Sequence, residues 1–189
     1  MLCHDYGVTV GQELLARQQN TIKNTNNEFK LVQLNKVVFL NGGLFPESHR
    51  PVLLQTMLTL PILGPLIAFL TSSLSFKRTF SKIFGVNAKP STVELNHFWG
   101  LINLQKGKMR FPELITYMSQ RRIHRDRWVN ALVNAKIPLL FINGLDDPIS
   151  GAHMVRRYKE IVPNPNVIEL QGIGHYPQWE DPEAICHNL

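Results

Sequence analysis

The chain has 189 residues, of which 44% are apolar and 18% charged, so it is long and apolar enough for one domain with a sizeable core. This composition excludes an intrinsically disordered protein, which would contain fewer apolar residues. The formal net charge of +6 would suit an anionic partner, yet the densest basic cluster is more typical of a solvated helix face than of a nucleic-acid-binding surface. That cluster comprises Arg121, Arg122, Arg125 and Arg127, and we predict no nucleic-acid partner.

The first seven residues have the pattern of a nucleophile elbow whose central residue is Asp5. In an elbow, small residues two positions before and after the nucleophile permit a sharp turn from strand to helix that lifts the nucleophile into solvent. Cys3 and Gly7 occupy those positions. The alternative is that Asp5 only caps the following helix, a common role for an aspartate before an apolar helical pattern.

The next elements alternate between helix and strand. Apolar residues at helical spacing predict an amphipathic helix of about three turns over residues 8–18. The polar run from Asn20 to Asn27 predicts a surface loop. The run from Lys36 to Leu40, closed by Asn41-Gly42-Gly43, predicts a buried strand that ends in a turn. This alternation is typical of an α/β fold.

Residues 51–76 contain no charged side chain and by length alone could span a bilayer. Pro61, Gly64 and Pro65 interrupt this stretch near its middle, where they would break a continuous helix. We therefore favour two short apolar helices that meet at residues 61–65. Contact between this stretch and a membrane stays open.

Residues 45–133 as a whole carry helical patterns and no convincing strand. A capping pattern at Ser91 and Glu94 predicts a helix over 91–102, and a second helical pattern runs over 111–133. We predict that residues 45–133 form a helical cap inserted between two parts of an α/β core, residues 1–44 and 134–189. The aromatic residues of this cap pack in its interior or, alternatively, form the wall of a pocket.

After the cap, strands and helices alternate again. Residues 137–142 and 166–170 have the composition of buried strands, and residues 153–162 have a helical pattern between them. Strands joined by helices of this length imply right-handed crossovers and a parallel sheet. Functional side chains of such sheets gather past the carboxyl ends of the strands. Those ends here carry Asp5, the Asn41 turn, Asp146-Asp147 and His175.

The order of Asp5, Asp147 and His175 in the chain matches that of nucleophile, acid and histidine in an α/β-hydrolase triad. We prefer Asp147 as the acid because it stands three residues after Gly144, and we expect Asp146 to shape the turn. The histidine would be held in one tautomer by Asp147 and would activate water.

An aspartate nucleophile restricts the chemistry. A carboxylate is poor at acyl transfer but displaces leaving groups at saturated carbon, which gives an alkyl ester on Asp5. The predicted substrate is therefore a small apolar epoxide or alkyl halide, and no cofactor or metal is expected. An epoxide also needs a proton donor for its developing alkoxide, and Tyr117 in the cap is the best candidate.

The chain resembles the epoxide-hydrolase-like branch of the α/β-hydrolases along essentially its whole length. This resemblance implies an eight-stranded core sheet with a helical cap and association with the endoplasmic reticulum membrane. In this setting we expect Tyr6, Phe45 and Trp128 to contact the substrate. The motifs that carry the resemblance are Cys3-His4-Asp5-Tyr6-Gly7, the turn from Leu40 to Pro51, Arg127-Trp128-Val129, and the run from Gly174 to Pro182.

Two departures from that branch bear on the substrate. Its members usually have Trp after the nucleophile, where this chain has Tyr6, which argues against haloalkanes in particular. They also resemble one another in having two cap tyrosines, whereas none lies between Tyr6 and Tyr117 here.

A different class of function is a truncated, catalytically inactive product that at most binds a partner or a membrane. We expect the 189 residues alone to be inactive, because the strand before Asp5 is almost absent and the elbow could not hold its strained turn. Loss of one oxyanion donor would cost roughly 3 kcal/mol in addition.

Overall fold

The computed structural model describes residues 1–23 and 33–189, and its centre is a four-stranded parallel sheet. Its strands, in spatial order, are β1 (Leu2–Cys3), β2 (Val37–Phe39), β3 (Leu139–Gly144) and β4 (Val167–Leu170). Cys3, Phe39, Phe141 and Val167 are aligned in one row across the sheet. The carboxyl ends of all four strands therefore lie at one edge, as the sequence predicts.

Alternation along the strands gives the sheet two apolar faces. Phe39 and Phe141 point to one side, where they pack in a large cluster with Leu15. Val38 and Leu140 point to the other side, in a smaller cluster that includes Ile185. Both faces are covered by helices, and this explains why the strand sequences read as continuous apolar runs.

Helix α1 spans Tyr6–Lys23 and is longer than the predicted three turns. Its last turns are held by contacts that local sequence does not reveal: the Gln18 side chain exchanges two hydrogen bonds with Leu34, and Gln19 donates to the carbonyl of Ala131. The predicted loop is thus wrong for residues 20–23, which are helical. The rest of that predicted loop, residues 24–27, lies outside the described residues.

Residues 45–133 contain helices and no strand throughout, and the predicted helix over 111–133 is divided into three. One division falls at His124, whose ψ of 15° leaves the helical region. The helices are α2 (Leu53–Leu58), α3 (Leu63–Leu70), α4 (Ser73–Phe80), α5 (Thr92–Asn103), α6 (Phe111–Leu114), α7 (Tyr117–Ile123) and α8 (Arg125–Val133), with 3-10 turns at Ser81–Ile83 and Leu104–Arg110. Three helices follow the cap: α9 (Ala152–Ile161), α10 (Pro177–Glu180) and α11 (Pro182–Asn188).

The capping box predicted within residues 45–133, called the cap here, is confirmed at α5: the Glu94 amide donates to Ser91 Oγ, and the Ser91 amide donates to Glu94 Oε2. The apolar stretch is interrupted at Pro61 as predicted, between α2 and α3. However, α3 begins at Leu63 and so contains Gly64 and Pro65, and a third helix, α4, begins within the stretch at Ser73. Within the described ranges, no helix is both long and apolar enough to cross a bilayer.

Hydrogen bonds join the cap to α10 and to the loop before it. Glu180 accepts hydrogen bonds from the amides of Gly85 and Gly174, at 2.8 and 2.7 Å. The His175 amide donates to the carbonyl of Ile83 at 2.8 Å. A Cβ added to Gly85 would lie 1.9 Å from the carbonyl oxygen of Gly172, so only glycine permits this approach.

We expect Gly85→Ala to destabilise the protein by at least 2 kcal/mol, because the backbones at Gly85 and Gly172 must move apart to admit the added methyl group. Gly100→Ala is the matched control: Gly100 lies within α5, and nothing would lie within 4 Å of its added Cβ. That control should be neutral or stabilising by roughly 0.5–1 kcal/mol. Urea unfolding of both variants measures the difference, and similar stabilities would contradict the close contact.

Candidate functional site

The elbow at Asp5 has the strained backbone that its sequence predicts. Asp5 has a φ of 47°, in the left-handed region that a non-glycine residue occupies only when its surroundings enforce it. Its amide donates to the carbonyl of Asn41 at 2.8 Å, and β1, only two residues long, still pairs with β2. The expectation that so short a strand could not hold the turn is therefore wrong for this structure.

His175 lies between the two carboxylates of the predicted triad. Its Nε2 is 3.8 Å from Asp5 Oδ1, an ion-pair distance rather than a hydrogen bond, and its Nδ1 donates to Asp147 Oδ2 at 2.8 Å. The His175 and Asp147 side chains are 3% and 0% exposed, while that of Asp5 keeps 39% of its surface. Asp5 is thus the member of the group that an incoming molecule can reach. Asp146 is exposed and makes only a backbone contact here, from its amide to the carbonyl of Ile173.

The carboxylate of Asp147 is fully hydrogen-bonded in addition to its contact with His175. It accepts from Ser150 Oγ at 2.6 Å, from the Ile149 amide at 2.8 Å and from Asn41 Nδ2 at 3.0 Å. Three donors of this kind fix both the position and the ionised form of a buried carboxylate. Sequence reasoning gave Asn41 no role beyond the turn, although its place directly after β2 was a signal.

The charges of the site stabilise one another. Burial alone would lower the pKa of His175, but the Asp147 and Asp5 carboxylates outweigh it and raise that pKa to about 10. Burial alone would raise the pKa of Asp5, but the positive charge of the nearby His175 holds it well below its usual value. His175 is therefore positively charged and Asp5 negatively charged at neutral pH.

A second histidine supports the triad from the elbow. His4 Nε2 donates to the carbonyl oxygen of His175 at 2.7 Å, and its ring lies 5.1 Å from the His175 ring. Burial and the nearby His175 lower the pKa of His4 to about 4, so this ring stays neutral. His4 therefore helps to hold His175 in place and adds no further charge to the site.

Tyr117, the predicted proton donor, is on α7 and is close enough to Asp5 to feel its charge. Tyr117 is 7% exposed, and its ring stacks on that of Tyr6 at 4.9 Å between centroids. Burial and then the negative charge of Asp5 raise the pKa of this phenol. The phenol therefore keeps its proton at neutral pH beside the candidate nucleophile.

An open cleft of ≈ 700 Å³ extends from these two tyrosines between α1, α7 and α8. Tyr6, Tyr117 and Trp128 line it, together with Val10 and Leu14. The indole of Trp128 donates to Glu13 Oε2 at 2.7 Å, so its polar edge is already occupied. The volume of the cleft lies within the range of small-molecule binding sites.

Phe45, the third residue predicted to contact substrate, lies elsewhere. It is 0% exposed and packs in the large core cluster, with its ring 6.4 Å from that of Tyr158. It is not among the residues that line the cleft. The turn at Gly43 sends the following chain inward beneath the sheet edge, so Phe45 contributes to the core.

Sequence reasoning also missed Arg121, which it grouped with a solvated helix face. Arg121 is 2% exposed, and its guanidinium lies beneath the elbow, where Nη2 donates to the carbonyl of Asp5 at 3.0 Å. The other arginines differ: Arg125 pairs with Glu47 and Arg127 with Glu13 at the surface. Helical spacing alone could not separate the buried member from its neighbours.

Comparison with known proteins shows relatives in sequence along nearly the whole chain. The chain is 37% identical over 190 residues to the mesoderm-specific transcript protein of mouse, in an alignment that covers 99% of this chain and 55% of the mouse protein. It is also 37% identical to the protein LipZ of Mycobacterium tuberculosis, whose name describes a hydrolase, over 98% of this chain and 62% of LipZ. The chain thus spans about half the length of the curated relatives it matches. No protein-family model matches the chain.

Solved structures show the fold. A haloalkane dehalogenase from Bradyrhizobium elkanii superposes with a TM-score of 0.69 at 15% identity, and the epoxide hydrolase CorEH with 0.68 at 12%. Each alignment covers 99% of this chain and 64% of the other. An α/β-hydrolase-fold protein from Burkholderia ambifaria gives 0.71 at 12% identity, over 99% of this chain and 63% of the other. The chain is therefore an α/β-hydrolase-fold relative of the mesoderm-specific transcript proteins.

Proposed function

We propose that this chain carries the catalytic group of a hydrolase that opens epoxides or related small apolar electrophiles through an ester on Asp5. The observation that carries the proposal is the strained, accessible Asp5 with His175 Nε2 at 3.8 Å and Asp147 behind it at 2.8 Å from Nδ1. A carboxylate in that position attacks saturated carbon, and the histidine behind it activates water.

The first half of the reaction uses Asp5 and Tyr117. Asp5 attacks the less hindered ring carbon, and Tyr117 gives its proton to the oxygen that leaves. In the second half, water attacks the ester carbonyl. Esterification removes one of the two negative charges that raise the pKa of His175, so the imidazolium releases its proton to solvent. The neutral imidazole then takes a proton from the attacking water and passes it to the departing alcohol oxygen. When the Asp5 carboxylate is restored, His175 takes a proton back from solvent.

The name of LipZ describes a hydrolase, and epoxide and haloalkane enzymes are among the similar structures. We favour an epoxide over a haloalkane because Tyr117 offers a phenolic proton beside Asp5. An epoxide oxygen needs that proton, whereas a departing halide needs hydrogen bonds only.

We also propose that the cap binds to an anionic membrane surface. Residues 51–112 contain seven Lys and Arg and one acidic residue, so their net charge equals that of the whole chain. In the same segment Leu53, Ile62, Phe69 and Leu70 are 65–84% exposed. Exposed apolar side chains on short helices beside basic residues are typical of interfacial membrane binding.

We expect His175→Gln to trap the ester, because Asp5 is still free to attack but water is no longer activated. Incubation of this variant with a terminal alkyl epoxide, followed by peptide mass spectrometry, should show the epoxide's mass added at Asp5. Asp5→Asn/His175→Gln is the control and should stay unmodified. An unmodified Asp5 across a panel of epoxides and haloalkanes would refute the proposal.

We expect Asp147→Asn to lower the pKa of His175 by about 1–3 units, because an opposite charge at hydrogen-bonding distance is lost. The raised pKa stabilises the fold below about pH 6.5, and this contribution disappears as pH rises through about 10. Nuclear magnetic resonance titration of the imidazole measures the shift. Asp146→Asn, at an exposed aspartate without contact to His175, should leave that pKa unchanged; an equal effect of both would contradict the geometry.

We expect the protein to float with vesicles that contain phosphatidylserine and to leave them when salt rises from 0.1 to about 0.5 M, because exposed charges are then screened. Ile62→Ser/Phe69→Ser should reduce binding, whereas Ile123→Ser, at an exposed apolar side chain of α7, should not. Equal binding to phosphatidylcholine vesicles at both salt concentrations would contradict the electrostatic part of this proposal.

A further inference from the structure

Arg121 is a cap residue whose guanidinium is fixed inside the core of the site. Its Nε donates to Thr9 Oγ1 at 2.7 Å, and its Nη2 donates to the carbonyl of Asp5 at 3.0 Å. Thr9 is on the first turns of α1 and Asp5 is the elbow residue. One side chain of α7 thus holds both halves of the strand-to-helix turn.

The same guanidinium lies against the proton donor. Its Cζ is 4.4 Å from the centroid of the Tyr117 ring, which is within the range of a cation–π contact. On its other side it packs on Gly43, where an added Cβ would lie 2.2 Å from Nη1. Arg121 therefore cannot swing away from Tyr117 without clashing with the turn that follows β2.

One NH2 group of this cation has no hydrogen-bond acceptor in the described part of the structure. Arg121 Nη1 is buried and has no hydrogen-bond partner among the described residues. A buried donor without an acceptor is costly, and it becomes favourable when a negative oxygen forms nearby. The reaction proposed above creates a negative charge on Tyr117, whose ring this guanidinium covers.

We propose that Arg121 is the positioning residue that enables Tyr117 to act as the acid, by stabilising the phenolate that remains after proton transfer. The inference rests on the proposed function. It gives the buried arginine a role that neither the triad nor the packing of the cap requires.

The charge balance of the first step supports this role. An Asp5 oxygen forms a bond to a ring carbon, the bond from that carbon to the ring oxygen breaks, and the resulting alkoxide takes the Tyr117 proton. Asp5 becomes a neutral ester and Tyr117 a phenolate. The negative charge thus moves from one neighbour of Arg121 to the other while the cation stays in place, and such preorganised charge requires no rearrangement during reaction. When water cleaves the ester, the carboxylic proton of Asp5 returns to the phenolate.

Other groups near Tyr117 do not supply this positive charge. Tyr6 stacks on its ring from α1, Asp5 faces it from the elbow, and Tyr176 interacts with it from the histidine loop. Each of these is neutral or negative. Arg121 is the cation that acts on Tyr117 among the described residues.

The test is the pKa of Tyr117 when Asp5 is neutral. Asp5→Asn mimics the charge of the ester, and ultraviolet titration of this variant minus that of Asp5→Asn/Tyr117→Phe isolates one phenol of the four in the chain. We expect that adding Arg121→Gln raises the Tyr117 pKa by about one unit or more, and that Arg121→Lys gives an intermediate value. Asp5→Asn/Arg125→Gln is the control, because Arg125 lies at the surface, and it should leave the pKa unchanged.

Circular dichroism checks that each variant is folded. Should Arg121→Gln unfold, Arg121→Met keeps a long side chain without the charge, and it should raise the same pKa. An unchanged Tyr117 pKa in a folded Arg121→Gln or Arg121→Met variant would overturn the inference. The titration needs no turnover, so its result is independent of whether an Asp5 ester forms in the His175→Gln experiment.

Discussion

The buried side chain of Asn41 joins the strand ends that carry the site. Its backbone carbonyl accepts from the Asp5 amide, its Nδ2 donates to Gly144 and to Asp147, and its Oδ1 accepts from the Gly144 amide. These contacts span the ends of β1, β2 and β3. A parallel sheet aligns those strand ends but does not fix the loops beyond them. The hydrogen bonds of Asn41 hold these loops at defined distances from one another.

The site is also balanced in charge. Two carboxylates, Asp5 and Asp147, lie with two cations, His175 and Arg121, in a region from which most water is excluded. Burying these charges unpaired would be prohibitive, and each one is held by at least one group of opposite sign. This balance suits a neutral substrate, since an additional charge would have no partner in the resting site.

Much of this arrangement can be predicted from the sequence. Apolar runs predicted the strands to within a few residues, and the elbow pattern and strand ends predicted that Asp5, Asp147 and His175 converge. These features depend on local spacing and on the geometry of a parallel sheet, both of which are encoded over short stretches of chain.

Other features depend on contacts between distant residues and could not be read in this way. The length of α1 depends on the two hydrogen bonds between Gln18 and Leu34, which are sixteen residues apart in the chain. The burial of Arg121 depends on its contacts with Thr9 and Asp5, which lie more than a hundred residues earlier in the chain. Phe45 follows the glycine turn as if toward the site, but the turn directs it to the core. The spacing of apolar residues describes one helix or strand at a time and does not reveal which of its faces another element covers.

The cap is attached to the catalytic loops at two separated points, through Gly85 at the histidine loop and through Arg121 at the elbow. Among the described residues, no hydrogen bond or ion pair joins the roughly thirty residues between Gly85 and the start of α7 to Asp5, Asn41, Asp147 or His175. Neither anchor sets the length of that segment. An insertion within it would therefore leave the contacts of Gly85 and Arg121 in place.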